Sequence, residues 1–167
     1  SVEDILIRSS NIGTLMLAQK VGEQDYRDFI KETDLLNTPK FELEELGTPL
    51  SFKWNKCKLE TISYGHGIAV TPLQAATTYA ALTNGGSLVK PTIIKKEKYQ
   101  DNKKIISSET SKKINTILRK VVTEKEGTAS LANIYGYDVG GKTGTSQKYG
   151  DKNENLNTFI SVFPSQD

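Results

Sequence analysis

Apolar residues in the first part of the chain come in short helical groups separated by polar breaks. Val2, Ile5 and Leu6 have a helix-like spacing that stops at Arg8-Ser9-Ser10-Asn11. Ile12, Leu15, Met16 and Ala18 resume it and predict a second helix to about Val21, with Gly22 as its stop. A short amphipathic helix follows, with Tyr26, Phe29 and Ile30 on one face. Residues 37–67 read as irregular, because Pro39, Gly47, Pro49, Gly65 and Gly67 interrupt any period and Glu42, Glu44 and Glu45 form an acidic patch. Thr71-Pro72-Leu73-Gln74 then signals a helix start, with Thr at the N-cap, Pro at N1 and Gln at N3. That helix runs through alanines to Asn84 and ends at Gly85-Gly86.

Further along, residues 92–98 and 103–106 predict two short strands around Asp101-Asn102, a hairpin. Ser107 or Ser108 caps the next helix, whose Ile114, Ile117, Leu118, Val121 and Val122 form a continuous i, i+3, i+4, i+7, i+8 stripe. A short helix is expected at about 128–133, after Gly127. Two strands close the chain, about 137–147 and 156–163, joined by a polar loop with Gly150, Asp151, Asn153 and Asn155. No repeat or low-complexity tract interrupts this order.

Composition narrows the classes without choosing among them. The chain has 167 residues, 36% hydrophobic and 25% charged, enough to enclose a core and too apolar for general disorder. A net charge of +2 gives no footprint for nucleic acid, and Lys95-Lys96-Glu97-Lys98 reads as a solvated face. Cys57 is the single cysteine, so no internal disulfide exists; although Lys56 and Lys58 flank it, nothing ties a base to it, and we read it as structural. One histidine and one cysteine suggest no metal set, and no cofactor is expected. His66, between Gly65 and Gly67, reads as a structural or rim residue. No run approaches the roughly 18 apolar residues of a membrane span, and Ser1-Val2-Glu3-Asp4 is not the basic start of a signal peptide. The abrupt ends lead us to expect a segment of something longer.

Three short motifs compete as sites of chemistry. Residues Gly136 to Thr143 satisfy the P-loop pattern G-x-x-x-x-G-K-[ST]. A P-loop needs a helix starting at its Lys-Thr, so that backbone amides face the phosphate. Gly144, Thr145 and Ser146 have strand or turn character instead. Ser87-Leu88-Val89-Lys90 is a literal S-x-x-K, but Gly85-Gly86 precedes it and Pro91 pushes Lys90 out of helical angles, so its serine and lysine would point apart. The third constellation joins Ser9-x-Asn11 to Lys142-Thr143-Gly144, 133 positions from Ser9 to Lys142. Acyl-transfer enzymes that recognise penicillin use S-x-x-K, S-x-N and K-T-G in that order. The S-x-N loop puts a hydroxyl and an amide at a cleft rim, suited to passing a proton and holding a substrate backbone. The K-T-G strand offers a cation and a hydroxyl beside a backbone edge to which an extended peptide can add. Gly144 leaves room for close approach. Ser-Ser-Asn alone is also an ordinary helix cap; the pair of motifs in order is the stronger signal.

With these motifs the chain resembles the transpeptidase domain of class B penicillin-binding proteins. The likeness runs through Arg8-Ser-Ser-Asn-Ile-Gly13, Ser63-Tyr-Gly-His-Gly-Ile68, Val70-Thr-Pro-Leu-Gln74, Tyr79-Ala-Ala-Leu-Thr-Asn-Gly-Gly86 and Pro91. It continues through Glu126-Gly-Thr-Ala129 and Gly140-Gly-Lys-Thr-Gly-Thr-Ser-Gln147 to Thr158-Phe-Ile-Ser-Val-Phe-Pro164, nearly the whole chain. Its wording is most similar to the septal, cell-division type. The resemblance implies an α+β fold, a partial penicillin-binding/β-lactamase-like transpeptidase domain over residues 1–167. Residues to about 135 would be mostly helical, and about 136–167 would be a hairpin carrying the K-T-G motif. It implies Ser9, Asn11 and Lys142 as catalytic residues and Thr143, Gly144 and Thr145 as substrate-binding ones. Peptidoglycan stem peptides, β-lactams and cell-division or cell-wall proteins are the implied partners, on the periplasmic side of the inner membrane. The S-x-x-K serine is expected N-terminal to Ser9, where eight residues stand without it, so these 167 residues alone should not be acylated. Apolar sheet edges left open would allow self-association. A related β-lactamase or carboxypeptidase, and a non-catalytic interaction module of the same fold, stay open as alternatives.

Overall fold

A computed structural model describes residues 1–40, 42–43, 54, 58–95, 103–148 and 151–166. Among the described residues six α-helices precede two strands: α1 (Val2–Ile7), α2 (Asn11–Val21), α3 (Glu23–Glu32), α4 (Lys58–Ser63), α5 (Pro72–Thr83), α6 (Ser108–Thr123), a 3-10 turn at Ser130–Ala132, β1 (Gly140–Lys148) and β2 (Asp151–Val162). This is the expected α+β class. The chain divides into two compact units, Leu15–Ser111 and a second made of Ser1–Thr14 with Lys112–Asp167.

In the Leu15–Ser111 unit, the capping signal at Thr71 forms as read. The Thr71 hydroxyl accepts from the Gln74 amide at 3.2 Å, and the Gln74 side-chain oxygen accepts from the Thr71 amide at 2.8 Å. Gln74 is buried, and its Nε2 donates to the carbonyls of Leu35 (2.9 Å) and Asn37 (2.7 Å), pinning the segment after α3 to the start of α5. One side chain thus satisfies three backbone groups. At the other end of α5, Gly86 has φ +97, and a Cβ there would lie 2.1 Å from the Ile106 carbonyl oxygen.

Two expectations in this unit are corrected. The stretch 37–67 is not irregular throughout: Leu59 and Ile62, three apart and both buried, form the apolar side of α4. Six residues between glycines and prolines are too few to show a period. Residues 92–95 form no strand. The segment from Lys103 pairs instead with the turn after α5, through a Ser87–Lys104 bridge with Leu88 N–H on Lys103 O (2.9 Å) and Ile105 N–H on Gly86 O (2.8 Å). Partner choice followed the Gly85-Gly86 turn, which brings a backbone edge within reach. The Asp101-Asn102 turn and Cys57 lie outside the described residues.

The other unit is built on the C-terminal part of α6. Val121 and Val122 are fully buried and cluster with Ile7 and Ala129, with Ile117 and Ala132 packed alongside. Burying side chains of this size contributes about 1.5–3 kcal/mol each. Ser107, not Ser108, caps α6, its hydroxyl accepting from the Thr110 amide at 3.0 Å. The expected helix at 128–133 is only the 3-10 turn. Of the closing strands, the first is shorter and the second longer than expected. Residues 137–139 lie outside β1, while β2 begins at Asp151, so Asp151, Asn153 and Asn155 belong to a strand and not to a loop. Antiparallel pairing satisfies backbone groups whatever the side chains are, and it carries the ladder past the apolar stretch.

Gln74→Ala should therefore cost more stability than Thr71→Ala. Urea unfolding should show a loss of about 1 kcal/mol for Thr71→Ala and about 2–3 kcal/mol for Gln74→Ala, which removes three side-chain hydrogen bonds to backbone groups. Equal or reversed losses would contradict the pinning role.

Candidate active site

The polar break after α1 shows why Ser9-Ser10-Asn11 has two jobs. Ser10 is the cap of α2: its hydroxyl accepts from the Gly13 amide at 3.2 Å, and its carbonyl accepts from the Thr14 hydroxyl at 2.9 Å. Ser9 takes no part in the cap. It sits in the left-handed region at φ 55, unusual for a residue with a side chain, and its hydroxyl is exposed. A strained residue of this kind costs on the order of 1–3 kcal/mol and is a pointer to function.

Lys142 reaches that hydroxyl. From β1 its Nζ donates to Ser9 Oγ at 2.8 Å and to the Thr143 carbonyl at 2.9 Å. The sequence-predicted pair is thus brought together across 133 positions, within one compact unit. Lys142 is half-buried, and burial holds its ammonium below the ordinary lysine range.

The remaining strand residues alternate about this lysine. Thr143 Oγ1 lies 2.7 Å from Thr128 Oγ1, and the Thr145 hydroxyl donates to Asn157 Oδ1 at 3.2 Å. A Cβ on Gly144 would stand 2.7 Å from the Thr158 hydroxyl, and one on Gly141 would meet the Phe159 ring at 2.5 Å. The β1–β2 register depends on these two glycines. Among the described residues β1 pairs only with β2, so no described strand pairs with its other edge beside Lys142. Asn11, at the first turn of α2, is exposed and makes no hydrogen bond to Lys142.

Both decoy motifs resolve against catalysis. Lys142-Thr143 lies inside β1, where no helix begins, so the P-loop letters have no phosphate cradle. Ser87 belongs to the isolated bridge, and no helix joins it to Lys90. His66 is exposed in the turn after α4, its ring beside Tyr64 at 5.3 Å. Sequence reasoning missed Thr128 and the Arg8–Glu126 ion pair as neighbours of the site. Thr128 lies within the Glu126-Gly-Thr-Ala129 wording, which carried a resemblance but no chemistry. Among the described residues, no group of three or more His, Cys, Asp or Glu is placed to hold a metal, and no helix is long and apolar enough to cross a membrane.

A serine hydroxyl hydrogen-bonded to a half-buried lysine thus stands beside a strand edge and threonine hydroxyls. Comparison with known proteins gives the family. The family described as penicillin binding protein transpeptidase domain matches residues 1–167. The chain is 34% identical to a probable peptidoglycan D,D-transpeptidase FtsI of Caulobacter vibrioides, over 97% of this chain and 29% of that protein. It is 32% identical to stage V sporulation protein D of Bacillus subtilis, over 98% of this chain and 28% of that protein. Among solved structures, the transpeptidase domain of Burkholderia pseudomallei penicillin-binding protein 3 superposes with a TM-score of 0.89 at 28% identity, covering 98% of this chain and 52% of that one. Penicillin-binding protein 3 of Mycobacterium tuberculosis, solved with ampicillin, gives 0.88 at 27% identity, covering 99% and 42%. The chain belongs to the penicillin-binding protein transpeptidase domain family, in its class B branch. It spans less than a third of the length of these two curated relatives.

The lowered Lys142 pKa has a signed consequence. Below it, lysine is protonated in both folded and unfolded chains, and burial costs stability in full. As pH rises past the folded pKa toward the ordinary lysine value, the unfolded chain holds more protons and stability rises. Urea unfolding of wild type and Lys142→Met should therefore show the difference moving in favour of wild type between neutral pH and about pH 10. A difference that stays flat would contradict a depressed pKa.

Proposed function

We propose that the chain is part of one transpeptidase domain of a serine D-Ala-D-Ala transpeptidase that cross-links peptidoglycan stem peptides and is acylated by β-lactams. The observation that carries this reading is the Lys142 Nζ to Ser9 Oγ hydrogen bond. In it, Ser9 and Lys142 form a proton path to the group leaving the substrate carbonyl: the D-alanine amine of a stem peptide, or the ring nitrogen of a β-lactam. Asn11 holds the substrate backbone at the rim. The open edge of β1 at Thr143, Gly144 and Thr145 receives the extended peptide, and the Lys142 charge with the threonine hydroxyls receives its carboxylate. The acylated serine and its lysine come, in this proposal, from a segment N-terminal to Ser1 in the full-length protein. A depressed lysine pKa suits a residue that must accept as well as donate a proton.

The names of relatives support the same reading: D,D-transpeptidase for the Caulobacter protein, and penicillin-binding protein 3 solved with ampicillin and with aztreonam for the Mycobacterium one. A cell-division role, division or cell-wall partners and a periplasmic location follow the same family logic. The isolated 167 residues would self-associate through the exposed Leu156 and Phe159 of β2.

A fluorescent penicillin provides the test. The full-length protein should take one covalent label, and Lys142→Met or Ser9→Ala should slow labelling about 100-fold or more. A polypeptide of these 167 residues alone should take none. An unlabelled full-length protein would leave a non-catalytic binding fold as the better reading, and stoichiometric labelling of the 167 residues would place a nucleophile within them.

A further inference from the structure

We infer that the turn Glu126-Gly127-Thr128 is a positioning clamp that fixes the spacing of the two site motifs, with Thr128 acting through the hydroxyl of Thr143. The inference rests on the proposed transpeptidase site and adds a role to residues outside it.

The turn is seated on the core. The Gly127 amide donates to the Glu124 carbonyl at 3.0 Å, and the Ala129 amide donates to the Val121 carbonyl at 3.2 Å. Val121 and Ala129 are both buried. A Cβ on Gly127 would lie 2.1 Å from the Val121 carbonyl oxygen, so the turn packs against the end of α6 with no space for a side chain. From this anchored turn two side chains reach the two site motifs. The Glu126 carboxylate pairs with the guanidinium of Arg8, the residue before Ser9. The Thr128 hydroxyl meets the Thr143 hydroxyl at 2.7 Å, next to Lys142. The Lys142 bond to Ser9 closes the circuit. Arg8-Ser9, Lys142-Thr143 and the turn are thereby linked in a ring of three side-chain contacts, all inside one compact unit.

The chemistry gives Thr128 more weight than Glu126. Arg8 and Glu126 are more than half exposed, where an ion pair contributes little. The hydroxyl pair has a direction to settle. When Thr128 donates to the Thr143 oxygen, the Thr143 proton is left for a substrate carboxylate, and its rotor is fixed before substrate arrives. Thr128 need not touch substrate to do this, so it is a positioning residue.

The test compares Thr128→Val, which keeps the shape and loses the hydroxyl, with Thr128→Ser, which keeps the hydroxyl. In the full-length protein, the second-order rate of labelling by a fluorescent penicillin should fall about tenfold in Thr128→Val, the worth of one hydrogen bond. It should stay within about twofold of wild type in Thr128→Ser. Melting temperatures of both variants should match wild type. A Thr128→Val protein labelled at the wild-type rate overturns the role. So does a Thr128→Ser protein as slow as the valine variant. Slow labelling with a lowered melting temperature makes Thr128 merely structural and overturns it too. An unlabelled wild type overturns the transpeptidase reading itself, and this role with it.

Discussion

The hydrogen bond from Lys142 Nζ to Ser9 Oγ joins two segments that lie far apart in sequence, and the geometry around it follows from what that contact demands. A lysine on a strand can reach a serine on a turn only if both backbones are held. The serine is held by α1 on one side and by the Ser10 cap of α2 on the other, which force Ser9 into a left-handed conformation with its hydroxyl outward. The lysine is held by the β1–β2 register, where Lys142 stands opposite Ile160. Neither constraint comes from the residues that would do chemistry. Both come from neighbours that cap, pair or leave out a side chain.

The core under this contact is small. Ile7 ends α1 just before the serine turn, and Val121, Val122 and Ala129 meet it in one buried cluster. The same helix end carries the Glu126-Gly127-Thr128 turn. The packing that stabilises the unit is therefore also what aligns its polar groups. Glycines at 127, 141 and 144 share this logic, since a Cβ at any of them would strike backbone or a packed side chain. Close approach of backbones, more than flexibility, is what they provide.

Much of this was legible in the sequence because the signals were local. The Thr71-Pro72-Leu73-Gln74 box and the α6 stripe each state their structure within a few residues. The site motifs were legible by order and spacing: Lys142-Thr143-Gly144 alone fits a P-loop as well, and Ser9-x-Asn11 in front of it separates the readings. What stayed hidden depends on partners distant in sequence. The pairing of Lys103 and Ile105 with the turn after α5, the second use of Gln74 on Leu35 and Asn37, and the meeting of Thr128 with Thr143 cannot be read from any window. Helix α4 was hidden for a different reason, being shorter than two turns.

The central claim is that Lys142 and Ser9 form one polar unit, and a high-resolution crystal structure of the full-length protein at neutral pH tests it most directly. The expected result places Nζ within hydrogen-bond reach of Oγ, near 2.8 Å, with Ser9 at positive φ. A lysine turned away from Ser9 by more than about 4 Å, beyond any hydrogen bond, would contradict the account.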